Sequence, residues 1–196
     1  MAVPQWRASL AQAIRDNSHT REWSYMTLAT VDRSNKPRAR TVVFRGFLDA
    51  PGHSPHALTF TTDARSRKVD EVAQSASAEI SWYFAGTREQ FRLAGKLSVA
   101  SASTPDPALK EARRGAWRAT SEFGRAQFAG PAPGSARAAE PEPVAPPPGL
   151  EEDPPEPFCL AFLTVQAVDV VDLRDNTRWQ HALGEDGGWL AREVHP

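Results

Sequence analysis

The sequence predicts a mainly β (α+β) fold, an antiparallel barrel with peripheral helices. Two observations lead there. About eight short runs of alternating or β-branched residues follow one another at close spacing. Strands and helices also fail to alternate as a doubly wound parallel sheet requires. At 196 residues, the chain fits a single domain over 1–196 that buries a core without disulfide or metal staples.

The first element is a helix over Pro4–Asn17, with Trp6, Leu10, Ala13 and Ile14 at helical spacing and Pro4 suited to a first turn. Alternation makes Tyr25–Val31 a strand, closed by the turn DRSNKP. A second strand, rich in β-branched residues, runs over Arg38–Phe47. After the loop DAPGHSP comes a third, Ala57–Thr62. The spacing turns helical over Ser66–Gln74, through Val69, Val72 and Ala73. Ala78–Phe84 and Gln90–Val99 form a hairpin around AGTRE. Asp106 to Ala119 reads as a polar helix, and SEFGRAQF as a further helix or turn. Phe158–Leu173 is a long β run, and Thr177–Leu183 with Gly188–Val194 a closing hairpin around GEDG.

Ten of the 17 prolines fall within 131–157, a stretch with no aromatic and few aliphatic residues until its end. Such a segment does not repay the entropy of ordering, so it predicts a flexible, exposed, polyproline-like insert.

The net charge of −1 argues against a general polyanion binder. The lone Cys159 excludes an internal disulfide and fits a reducing compartment; in an apolar strand it reads as a buried structural thiol. No apolar run approaches the ~20 residues of a membrane span, and MAVPQWRASL lacks a signal-peptide core. The expected location is cytoplasmic. The five histidines form no metal-binding pair on a predicted helix, and no P-loop, G-x-G-x-x-G or G-x-S-x-G occurs. No metal site is expected.

The chemistry lies in cations on strands and at one helix start. In RARTVVFRGF, Arg38 and Arg40 share a face with Val42 and Phe44, while Thr41, Val43 and Arg45 point the other way. A guanidinium in a half-buried strand needs an anionic partner. In TFTTDARSRK, Ser66 suits an N-cap and puts Arg67 and Lys68 in the first turn. Cations there oppose the helix dipole, so they point to a bound phosphate; the alternative is a solvated turn paired with Asp63 or Glu71. Gln90, beside Arg92 on a strand, is either simply exposed or offers its amide to a flat heteroaromatic ring.

The order R-x-V-x-x-R at Arg40–Arg45, Thr61–Thr62, S-R-K at Ser66–Lys68, R-x-Q-x-R-x-x-G around Gln90 and the terminal NTRWQH resembles the pyridoxamine 5'-phosphate oxidase-like family. The likeness is to the oxidase-like subfamily of cyanobacteria and plants, not to the oxidase proper. It implies a split antiparallel barrel, FMN as cofactor, and a homodimer with FMN at the subunit interface. By that resemblance Arg40 and Lys68 hold the FMN phosphate with Arg67 beside them. The backbone of Thr41, Val42 and Val43 lines the isoalloxazine, and Thr61 and Thr62 meet the phosphate or ribityl chain. Gln90 meets the ring edge, Arg178 reaches FMN across the dimer, and Arg45 faces both flavin and substrate.

The oxidases' substrate-phosphate Tyr, Arg and Ser, spaced four apart, fall here on Arg113, Trp117 and Ser121, so only the serine is kept. Their R-x-H becomes Arg174-Asp175-Asn176, and their flavin-stacking Trp is missing. Ser121 and Arg174 are what remains for substrate. The resemblance thus implies an FMN-dependent oxidoreductase acting on a small molecule, with no acid or base singled out. Two alternatives stand beside it. One is a flavin carrier without turnover. The other is a nucleic-acid-binding barrel using Arg38, Arg40, Arg88 and Arg92 with Trp82, Tyr83 and Phe84 stacking bases.

Overall fold

The computed structural model describes residues 3–137 and 146–196. The elements follow the expected order with small boundary shifts: α1 (Gln5–Asn17), β1 (Tyr25–Val31), β2 (Pro37–Val43), β3 (Gly46–Phe47), β4 (Leu58–Asp63), α2 (Arg67–Gln74), β5 (Ser77–Phe84), β6 (Glu89–Ala100), α3 (Pro107–Ala119), α4 (Glu122–Ala126), β7 (Phe158–Asp172), β8 (Thr177–Leu183) and β9 (Trp189–Val194). The expected second strand divides in two. It breaks before Gly46, whose φ of 124° is a conformation open to glycine and strained for other residues.

The strand order is β2-β1-β5-β6-β7-β4-β3, with β8 pairing β7 and β9 pairing β8. All pairs are antiparallel. β2 and β3 lie at opposite ends of this order, yet only Phe44 and Arg45 separate them in the chain. The chain therefore steps from one sheet edge to the other and closes a barrel. Phe44 N–H donates to Ser24 O (2.7 Å) and Arg45 N–H to Thr59 O (2.9 Å), leaving a seam between β2 and β4. β7 pairs β4 through its first half and β8 through its second, so the sheet forks there. This is the split barrel.

The main core packs Trp6 and Leu10 of α1 against Met26, Leu28, Phe60, Ile80, Trp82, Phe91 and Leu163 from the strands. The Trp82 indole N–H donates to Trp23 O (2.8 Å). Asn17 ties α1 to the β5–β6 turn by donating to Ala13 O and Thr87 Oγ1 and accepting from Gly86 N–H. A second cluster, with Leu48, Ala57, Leu109, Leu160 and Phe162, lies beneath α3.

The end of the proline-rich segment departs from the exposed excursion expected. Pro154 is buried, and Arg113 of α3 donates to the carbonyls of Pro154 (3.1 Å), Pro155 (2.7 Å) and Phe158 (2.8 Å). Arg114 pairs with Asp153 at 2.7 Å, and Trp117 donates to Gly149 O. Prolines donate nothing from their backbone but still accept, and one buried guanidinium meets two such carbonyls and that of Phe158.

At the β6–β7 bulge beside Gly95, a Cβ would sit 2.1 Å from Thr164 O. Gly95→Ala is therefore expected to destabilise the fold by about 2–3 kcal/mol or more, since the obstacle is backbone. Urea unfolding of the purified variant measures this.

Candidate functional site

Arg40 pairs in register with Leu28, which continues across the sheet through Ile80 to Leu93; all three apolar partners are fully buried. Its side chain thus starts from the inner face and reaches the barrel end covered by α2. There Arg40 Nη2 donates to Glu71 Oε2 at 2.6 Å, Nη1 donates to the Thr30 hydroxyl, and Thr30 donates to the same Glu71 oxygen at 2.6 Å. Burial alone would raise the Glu71 carboxyl, but the hydrogen bonds from Thr30 and Arg40 outweigh it and hold the group below its ordinary value.

Thr62 closes β4 beside this pair. Lys68 Nζ donates to Thr62 Oγ1 and to Ser66 Oγ, each at 3.1 Å. Among the described residues, Lys68 has no carboxylate within ion-pair distance. Burial, and then the neighbouring Arg40, push its ammonium below the ordinary lysine value. Ser66 occupies the N-cap position of α2, but its hydroxyl bonds Lys68 and Thr62 and makes no cap bond, contrary to expectation. In the first turn of α2, Val69 N–H donates to Ser66 O (2.9 Å), and no side chain caps the helix. Arg67 is exposed at the rim, near Asp70, Arg38 and Asp32, and Thr61 is half-buried on β4. Asp63 pairs with Arg65, and Glu71 with Arg40, so neither neutralises Lys68 directly. An under-neutralised lysine, a positioned arginine, two hydroxyls and an open helix N-terminus fit the phosphate monoester of FMN.

Gln90 and Arg178 lie elsewhere. Gln90 pairs with Val171, and Val171 with Arg178, so the two share a row on the opposite, outer face. Thr41 and Val43 also point outward, while Val42 is buried inside. Gln90 and Arg178 both pair with Val171, twelve residues along β7 from Cys159, the partner of Thr62, about 40 Å of strand. Arg178 is held by Asp169 (2.9 and 2.7 Å), whose carboxyl that bond lowers. Within one chain, neither residue joins Arg40 and Lys68. Arg45 is exposed at the far end of the seam.

Ser121 caps α4, accepting from Gly124 N–H (3.2 Å), and Arg174 pairs with Asp172 (2.6 Å) on an exposed turn. The fold does not bring either to the phosphate cluster. Trp117 is fully buried, beside Phe128 and Phe158. The nucleic-acid platform is not formed. Trp82 and Phe84 are core residues, and Arg38, Arg40 and Arg92 pair with Asp32, Glu71 and Glu79. Cys159 is buried and its thiol is pushed up to about 11, so it stays protonated. Among the described residues, no group of three His, Cys, Asp or Glu is placed to hold a metal, and no helix is long and apolar enough to cross a membrane.

Sequence reasoning missed Thr30 and the part Glu71 plays. Their signal is three-dimensional, because a β1 hydroxyl and an α2 carboxylate meet only once α2 packs on β1. A carboxyl with a depressed folded value stabilises the fold above its unfolded value near 4.5, and that contribution fades as pH falls through the lower folded value. Glu71→Gln is therefore expected to cost about 2 kcal/mol at pH 7. Its stability and that of the parent chain should converge below pH 4.5 in denaturation series across pH.

The sequence profile of the family described as pyridoxamine 5'-phosphate oxidase, FMN-binding domain, matches residues 3–101. A pyridoxine/pyridoxamine 5'-phosphate oxidase 2 of Arabidopsis thaliana is 34% identical over 99% of this chain and 98% of its own length. The match to the pyridoxine/pyridoxamine 5'-phosphate oxidase of a Cyanothece strain, 32% identical, covers 59% of this chain and 52% of that protein. A pyridoxamine 5'-phosphate oxidase-related, FMN-binding protein from Nostoc punctiforme superposes with a TM-score of 0.90 at 37% identity, covering all of both chains. PhzG from Burkholderia lata shares the fold alone, with a TM-score of 0.69 at 17% identity over 97% of this chain and 90% of that one. The seam, the cation cluster at its end and likeness along the whole chain agree: this protein belongs to the pyridoxamine 5'-phosphate oxidase-like family of FMN-binding split barrels, with FMN as its cofactor, and its full-length likeness is to a plant and a cyanobacterial member.

Proposed function

We propose that the chain is an FMN-dependent oxidoreductase acting on a small molecule, and that it works as a cytoplasmic homodimer with FMN at the subunit interface. The observation that carries this reading is the half-buried Lys68, which among the described residues bonds only hydroxyls, beside Arg40 and the N-terminus of α2. Arg40, Lys68, Thr62 and Ser66 hold the phosphate, with Thr61 and Arg67 flanking it. The backbone of Thr41 to Val43 lies along the ring, and Arg45 stands where ring and substrate meet. When bound, FMN supplies hydride or electron transfer, while the protein orients the reactants and keeps water out.

Gln90 and Arg178 support the dimer. They share the outer face, too far along the sheet to serve their own chain's phosphate cluster, and a second copy set against that face brings them to it. A second reading, a flavin carrier without turnover, is favoured by one observation. Arg113 and Trp117, at the positions of the oxidases' substrate grip, are engaged in holding the chain around 149–158.

Purified protein is expected to show a flavin spectrum and to release FMN on denaturation. Arg40→Ala and Lys68→Ala should each weaken FMN about 10- to 100-fold, the loss of one or two charge-assisted hydrogen bonds. Titration by flavin fluorescence measures it, and unchanged affinity in both variants sinks the phosphate assignment. Stopped-flow reduction separates enzyme from carrier: bound FMN that no reductant or oxidisable small molecule in a broad panel reduces favours the carrier.

A further inference from the structure

Three buried side-chain nitrogens have no acceptor among the described residues, and two of them are neighbours in the first turn of α1: Trp6 Nε1 and Arg7 Nε. The third, Arg125 Nε, belongs to a side chain that donates through Nη1 to Thr120 O (2.7 Å). At the other partly buried arginines, Arg40, Arg113, Arg114 and Arg178, carboxylates or carbonyls meet the guanidinium. Arg7 has neither among the described residues, and burial alone lowers its value. Its guanidinium carbon lies over the Phe47 ring, 3.1 Å from the centroid. A ring face attracts the charge but offers the N–H groups no lone pair.

His56 completes the group. Its ring meets Trp6 edge-on at 6.1 Å between centroids, and Trp6 meets Trp189 of β9 at 5.2 Å. Among the described residues, Arg7 is the one charged group that bears on His56. Burial, and then Arg7, hold the imidazole below its ordinary value, so it is neutral at pH 7. His56 comes two residues before β4. Leu58 and Thr62 lie four residues apart on that strand, about 13 Å, so the group sits at the end of β4 away from Lys68.

We infer that Arg7, Trp6 and His56 form a binding site for a small monoanion, either chloride or the carboxylate of a one- or two-carbon acid. All three side chains offer N–H donors, and among the described residues no carboxylate competes for them. One guanidinium balances one negative charge. A dianion leaves an excess charge in a half-buried place, where an uncompensated charge is costly. Rings whose centroids are 6.1 Å apart leave room for a small group only. The site stands apart from the phosphate cluster, so the inference does not rest on how FMN is held.

The test is an NMR titration of the His56 ring in the full chain, with FMN in excess to occupy the phosphate cluster. Chloride, formate and sulfate are added in turn at an ionic strength held constant with bulky gluconate. Chloride or formate is expected to raise the His56 midpoint by about 0.5 pH or more, saturably, because an anion beside the ring favours its charged form. Saturation by one of the two and not the other names the source and supports the site. Arg7→Gln should raise the anion-free midpoint, since a repelling charge is gone, and abolish the saturable response. Trp6→Phe keeps an aromatic ring, removes the indole N–H and should weaken the anion at least threefold. Should that buried variant not fold, the parent chain and Arg7→Gln decide the matter alone. A midpoint that ignores both monoanions overturns the site, and a response unchanged in Arg7→Gln overturns its location. Sulfate binding tighter than either overturns the monoanion assignment.

Discussion

Everything that positions the cofactor site follows from the closure of the barrel between Val43 and Gly46. Two residues carry the chain from the last strand at one edge of the sheet to the first at the other. A step that short leaves β2 and β4 side by side but with few bonds between them, chiefly Arg45 N–H to Thr59 O. The resulting seam is where backbone groups remain available to a ligand. β2 and the two residues after it contribute 40–45 along one side, and β4 contributes Thr59 to Thr62 along the other. At one end α2 adds Lys68 and its N-terminus; at the other β3 and α3 part to form a cleft. A residue without a positive φ at position 46 would strain the closure, and with it the alignment of the two ends.

The acid inside the cation cluster has a physical logic of its own. Arg40, Lys68 and the α2 N-terminus converge, and without an anion they repel one another and α2 itself. Glu71 compensates Arg40 through a bond shared with Thr30, fixing the guanidinium and docking α2 onto β1. Lys68 is left with hydroxyls alone. The arrangement is stable enough to form before the ligand arrives, yet it keeps one positive charge uncompensated. Had Glu71 paired with both cations, the pocket would fold more comfortably and bind phosphate less well. Preorganised cations of this kind gain affinity because little ordering remains to be done on binding.

What could be seen in the sequence divides along the same line. Arg40 and the Ser66-Arg67-Lys68 turn were legible because their chemistry is local: a charge on a half-buried strand, and cations where a helix begins. The strands were legible from alternation, apart from the break that Gly46 introduces, a backbone event that β-branched composition does not report. Ser66 does occupy the N-cap, but its hydroxyl makes no cap bond because a nearby ammonium competes for the same oxygen. The positions of Gln90 and Arg178 relative to the phosphate cluster were not legible. Motif order says nothing about which face of a curved sheet each residue occupies.

The same distinction decides how to read the altered substrate positions. Loss of the oxidases' grip, seen as a pattern of substitutions, suggests decay. The structure gives Arg113 a different occupation: it donates to the carbonyls of Pro154, Pro155 and Phe158, and of these Pro155 O also accepts from Phe158 N–H. A residue so engaged has a structural task of its own, anchoring the chain around 154–158 to α3. The face of α3 toward the cleft beside Arg45 carries Ala112, Gly115, Ala116 and Ala119, whose small side chains leave the cleft open.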